Sequence, residues 1–265
     1  MKLKANGIEI NYEIEGEGPV VTFSHSLACS LAMWDEQVRA LKGRYRVVRY
    51  DTRGHGQTTA PAEAYTLEQL AEDLKGLLDG LGIAATHFVG LSMGGMIGQV
   101  FALKYPAMVQ SLALCDTTSR YAPGAAATWE ERIRTVTAKG MEPMVAPTLE
   151  RWFTAPFRER RPDLMERVGA MIRSTPAAGY VGCCHALPKI DVTARLKEVK
   201  CPALVICGEN DPGTPPAMAR EIHENLPGSR LVLIPQAAHL SNLEQPEAFN
   251  RALAQFLASP ASARA

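Results

Sequence analysis

A serine set among glycines, 90-GLSMGG-95, closes the apolar run 86-THFVGLS-92. Glycines at such a junction permit a turn too tight for side chains. The Gly-x-Ser-x-Gly spacing is that of a nucleophile elbow, in which a strained strand-to-helix turn lifts the serine hydroxyl clear of a sheet. A hydroxyl becomes a useful nucleophile only when a base takes its proton and a third group orients that base. The elbow at Ser92 therefore predicts a downstream acid and then a histidine, both in loops at the C-terminal ends of strands.

Six histidines compete for the base. His87 starts the elbow strand and lies at the wrong end, His223 falls within a helical stretch, His55 is upstream, and His185 belongs to a helical insertion. His25 follows the strand 20-VVTFS-24 and could reach the site, but it precedes the serine. His239 comes directly after the apolar run 230-RLVLIP-235 and is the expected base. Asp211, braced by 212-PGTPP-216, is the expected acid, with Glu209 and Asp116 as alternatives. Its work would be to hold the imidazole tautomer and stabilise the imidazolium. A tetrahedral oxyanion also needs donors. Met93, the residue after the nucleophile, would offer one backbone N–H, and Leu27, in the loop 24-SHSLACSLAMW-34, the other.

Positioning these groups requires alternating β and α elements. The stretch 7-GIEINYEIEGEGP-19 reads as an N-terminal hairpin, and 20–24, 46–51, 86–92, 109–116, 202–211 and 230–235 read as strands. Helical spacing covers 33–43, 66–82, 95–106, 216–226 and 246–258, with Thr66 and Gln69 as a capping pair. Such alternation implies an α/β fold with a mostly parallel central sheet and right-handed crossovers. Residues 119–189 break the pattern, with two of the three tryptophans and helical periods only. The expected organisation is a core of 1–118 and 190–265 carrying a helical cap of 119–189, with a frayed tail at 259-SPASARA-265.

Composition narrows the partners. The 28 basic and 28 acidic residues cancel, so no basic excess invites nucleic acid, and an anionic substrate would need one or two placed cations. The six cysteines form no CxxC pair, and the start MKLKANGIEI has no apolar signal segment, so free thiols in the cytoplasm are expected. No metal or cofactor is expected, no G-x-G-x-x-G follows the first strands, and no apolar run suits a membrane span.

The chain resembles the α/β-hydrolase superfamily over nearly its whole length. Through 49-RYDTRGHG-56, 90-GLSMGG-95, 151-RWFT-154 and 179-GYVGCC-184 it is similar to the 3-oxoadipate enol-lactonases of bacterial aromatic catabolism. Those lactonases usually carry Ser-Asn-Ser-Leu-Gly at the oxyanion loop, where this chain reads 24-SHSLA-28, so His25 and Ala28 depart from the pattern. The resemblance implies a small enol-lactone with a carboxymethyl arm, opened through an acyl-enzyme to 3-oxoadipate. The arm's carboxylate would need a cation, for which Arg53, Arg132, Arg134 and Arg151 are candidates. Arg134 is favoured because it sits near the start of the cap beside Ile133 and Val136. His25, Trp34 and Trp152 are further expected substrate contacts. Rival readings are a general carboxylesterase, lactonase or perhydrolase and, from a different class, a non-catalytic ligand receptor of the same fold. An aspartate-nucleophile dehalogenase is excluded by Ser92.

Overall fold

The computed structural model describes residues 1–259, so the end of the tail expected to fray, 260–265, lies outside the described residues. Eight strands form one sheet: β1 (Lys2–Ala5), β2 (Ile8–Glu15), β3 (Val20–Ser24), β4 (Arg46–Tyr50), β5 (Thr86–Leu91), β6 (Val109–Cys115), β7 (Ala203–Gly208) and β8 (Arg230–Ile234). Their order is β1-β2-β4-β3-β5-β6-β7-β8. The β1/β2 and β2/β4 pairs are antiparallel and all others parallel. The hairpin turns at Asn6-Gly7, both at positive φ, so its first strand starts earlier than expected. Asn-Gly supplies the backbone that a two-residue hairpin turn demands.

Around the sheet lie α1 (Asp35–Leu41), α2 (Leu67–Gly80), α3 (Met93–Lys104), α4 (Ala125–Lys139), α5 (Val145–Trp152), α6 (Ala155–Arg160), α7 (Pro162–Ser174), α8 (Ala177–Ala186), α9 (Pro216–Asn225), α10 (Ser241–Glu244) and α11 (Pro246–Leu257). The capping pair forms as expected, with Thr66 Oγ1 accepting the Gln69 N–H at 3.0 Å. Strands β5 and β7 are buried along their whole length, which explains why they read as unbroken apolar runs. No helix among the described residues is long and apolar enough to cross a membrane.

Two features set the site. After β3 the chain moves outward to β4 and then returns to lay β5 on the other side of β3, so the winding reverses between β3 and β5. Open α/β sheets bind ligands at such a reversal, beyond the carboxyl ends of the strands. Ser24 and Gly90 are register partners there, which puts the loop after β3 beside Ser92. The second feature is the helical segment α4–α8 between β6 and β7. An isolated antiparallel bridge joins Arg120 to Asp191, and the Val192 N–H donates to the Ser119 carbonyl at 2.9 Å, so the segment leaves and re-enters the sheet at one place.

Candidate active site

Helix α3 begins at Met93, two residues before the expected Gly95, because the chain turns from strand to helix within the single residue Ser92. Ser92 holds φ 56°, ψ −113°, a conformation that costs an L-residue about 1–3 kcal/mol. A Cβ on Gly94 would lie 2.1 Å from the Ser24 carbonyl oxygen, and one on Gly90 2.2 Å from the Gly94 carbonyl oxygen. The glycines are therefore a demand for close backbone approach. Gly94→Ala is expected to destabilise the fold by about 3 kcal/mol and displace the loop after Ser24, as read by urea unfolding. An unchanged midpoint would refute that reading.

Ser92 and His239 border one cavity of about 240 Å³, lying between the C-terminal edge of the sheet and the helical segment. Behind it, the His239 Nδ1–H donates to Asp211 Oδ2 at 2.8 Å. The Asp211 carboxylate also accepts from the Gly213 and Thr214 N–H groups at 2.7 and 3.0 Å and from Thr214 Oγ1 at 2.7 Å. Burial pushes the Asp211 carboxyl up, but the charge and hydrogen bond of His239 and the bonds from Thr214 outweigh it and hold the group below its usual range. Asp211 thus fixes the imidazole with Nδ1 protonated and Nε2 bare, as a base requires.

The alternative acids are placed elsewhere. Glu209 is exposed. Asp116 accepts from the Gly208 N–H at 2.8 Å and from Ser241 Oγ at 2.5 Å, and burial and the Asp211 charge push it well above the usual carboxylate range. Asp116, Cys207 and Asp211 bring possible metal-ligand atoms within 4.8 Å of one another. The oxygens of both carboxylates are already engaged, and Cys207 Sγ points to the carbonyls of Gly208 and Thr214, so the donor set is spent within the protein.

Leu27 lines the cavity, and Met93 opens α3, where a first-turn N–H has no intrahelical acceptor. Neither N–H has a backbone acceptor among the described residues. Ala28 stands at φ 61°, where the lactonase pattern has glycine, and its N–H donates to His55 Nε2 at 3.0 Å.

His25 is not a cavity contact. Its ring is fully buried beneath the loop, where Nδ1–H donates to the Ser26 carbonyl at 2.7 Å and Nε2 accepts the Thr52 N–H at 2.9 Å. His55 repeats the arrangement with the Arg53 carbonyl at 3.2 Å and the Ala28 N–H. A second proton on either ring would set N–H against N–H. Burial lowers His25 to about 4 and His55, with the His25 charge as a second cause, to about 3. Since folding lowers these values, the stability they support is complete above pH ~6.5 and is lost as pH falls toward about 4 and 3. Relative to His25→Asn, the wild type should lose about 2 kcal/mol between pH 7 and pH 5, because only its unfolded chain takes up that proton. Urea unfolding of both proteins at the two pH values checks this; parallel losses would contradict it.

Trp34 is also structural. Its ring is buried between Phe23 and Phe249, with centroids at 4.7 and 6.2 Å. Arg134 faces solvent and pairs with Glu131 at 2.7 Å. The reason is periodic: Trp129, Arg132 and Val136 form the inner stripe of α4, and a residue two positions from Arg132 points about 200° away. Arg53 is tied bidentately to buried Asp73, both bonds at 2.7 Å.

The cations that border the cavity are Arg132 and Arg151, with Tyr121 and Tyr180. Arg132 lies 4.6 Å over the Trp129 ring. Arg151 makes one long hydrogen bond, to Thr148 Oγ1 at 3.4 Å. Burial, and secondarily the Arg132 charge, lower its guanidinium to about 10, so it stays cationic at neutral pH. Neither arginine has an ion-pair partner among the described residues. Trp152 does reach the site, stacking on His239 at 6.4 Å and 24°. The arrangement brings together a half-buried hydroxyl, an imidazole oriented by a carboxylate, and two guanidiniums without an ion-pair partner among the described residues.

The fold and the sequence together place the chain in the α/β-hydrolase family, whose alpha/beta hydrolase fold description matches residues 19–246, and the protein is a hydrolase of that family. Among its relatives, 3-oxoadipate enol-lactonase 2 of Acinetobacter baylyi is 36% identical over 95% of this chain and 94% of its own. The crystal structure of the enol-lactonase from Burkholderia xenovorans LB400 superimposes with a TM-score of 0.94 at 38% identity, covering 98% of this chain and 100% of that one. A thermophilic esterase from Thermogutta terrifontis, solved with malate bound, gives 0.93 at 30% identity, covering 97% and 98%.

Proposed function

We propose that the protein hydrolyses a small lactone or carboxylic ester bearing a free carboxylate, with 3-oxoadipate enol-lactone as the substrate that fits best. The observation that carries this reading is the pair of cations without counter-ions, Arg132 and Arg151, in the cavity of Ser92 and His239. Keeping a guanidinium half-buried and unpaired is unfavourable unless an anion arrives to share the site. The enol-lactonase relatives, and an esterase solved with the dicarboxylate malate, are in keeping with it.

In this mechanism the substrate carboxylate rests on the two guanidiniums and the lactone carbonyl lies over Ser92. His239 Nε2 takes the Ser92 proton as Oγ attacks, and Asp211 steadies the resulting imidazolium. The N–H groups of Leu27 and Met93 hold the oxyanion. Collapse expels an enolate, a better leaving group than an alkoxide, and the enolate takes the proton from the His239 imidazolium, which leaves the imidazole neutral again. Water activated by His239 then attacks the acyl carbon, and the free acid departs with Ser92 restored. Residues 119–189 act as the cap that carries the anion contacts, over the core that carries the triad.

The test compares kcat/KM for the enol-lactone with that for a neutral ester of similar size. A preference of about 10³, or about 4 kcal/mol in the transition state, is the expected result. Equal values would overturn the anionic substrate and leave a general esterase.

A further inference from the structure

Glu244 is a buried carboxylate with no cation beside it among the described residues, yet its side-chain hydrogen bonds tie together two parts of the site. Oε1 accepts the Thr154 N–H at 3.0 Å and is also bound closely by Thr154 Oγ1. Oε2 accepts the Ala238 N–H at 2.8 Å. Thr154 lies three residues after Arg151, at the junction of α5 and α6, and Ala238 immediately precedes His239. Next to this clasp, the Leu240 N–H donates to the Trp152 carbonyl at 3.1 Å, and the Trp152 ring lies on His239. The stretch 151–154 therefore runs beside 238–240, one carrying the anion contact and the other the base.

We propose that Glu244 is a positioning residue that sets the spacing between Arg151 and His239, and through it the preference for anionic substrates. The inference rests on the reading of Arg151 given above. A carboxylate suits the position because three donors converge on it, and an amide would turn an NH₂ toward at least one of them. His239 is separately oriented by Asp211, so loosening the clasp leaves the base competent. What changes is its distance from the point where the far end of the substrate is held. A substrate that spans both contacts feels that change, because misplacement by about 1 Å costs on the order of 10²-fold in rate. A neutral ester that does not use Arg151 does not.

Glu244→Gln, isosteric with the native residue, is the direct test. The kcat for the anionic lactone should fall roughly 10- to 100-fold while that for the neutral ester changes less than about threefold. Thr154→Val removes the hydroxyl donor without touching the histidine loop. It should act in the same direction more weakly, and it carries the test if Glu244→Gln fails to fold. Thermal unfolding of each variant corrects for the folded fraction. Equal losses on both substrates, or none on either, would overturn the inference while leaving the wild-type preference intact. A wild type without preference would overturn the substrate reading and this inference with it.

Discussion

Ser92→Ala should fold as the parent does and lose hydrolysis almost completely. The Ser92 carbonyl accepts from Thr117 Oγ1 at 2.7 Å and from the Met96 N–H at 3.1 Å, and both bonds survive the substitution. The cost falls on chemistry alone. Removing a nucleophile that acts as a unit with its base lowers kcat by about 10⁵–10⁶, and a residual rate on the order of 10³ above water remains from binding and the oxyanion donors. Lactone hydrolysis at high variant concentration, with circular dichroism as the fold control, measures it. A variant within tenfold of the parent would remove Ser92 from the mechanism.

Arg151→Met is expected to separate binding from stability. Methionine keeps an unbranched stem of similar length and removes the charge. For an anionic lactone, kcat/KM should fall about 10²-fold, the worth of roughly 3 kcal/mol of charge-assisted contact, while a neutral ester stays within about threefold. The fold should be no less stable than the parent, because the site holds a half-buried guanidinium lowered to about 10 and without an ion-pair partner among the described residues. Arg151→Lys should not restore the rate, since an ammonium cannot reproduce the planar fork. Matched losses on both substrates would mean that Arg151 shapes the cavity without reading charge.

The contrast between Arg134 and Arg151 shows where sequence reasoning reaches its limit. The placement of Ser92, Asp211 and His239 was legible because each lies within a few residues of a strand end, and strand ends follow from apolar runs and the glycines and prolines that stop them. The sheet was legible for the same reason. Arg134 was misplaced by a helical phase error that the stripe Trp129, Arg132, Val136 could have corrected. His25 was read from its nearness to the loop, but a side chain there can point up into a cavity or down beneath the chain. The buried Thr52 N–H that drew it down is 27 residues away. Trp34 was lost to Phe249, distant in sequence though close in space. The Glu244–Thr154 clasp spans 90 residues and leaves no local pattern at either end.

The bridge between Arg120 and Asp191 bears on how such a protein diversifies. An insertion whose ends meet places no tension on the β6–β7 pairing, and lengthening it costs only about 0.6 kcal/mol per doubling of length. Substrate range and bond-breaking chemistry can then be inherited as separate modules. One lineage can trade its helices for new ones at the joint while Ser92, Asp211 and His239 pass on unaltered. The Glu244 clasp is the point where that independence ends, because a foreign segment must bring a hydrogen-bond donor to meet it.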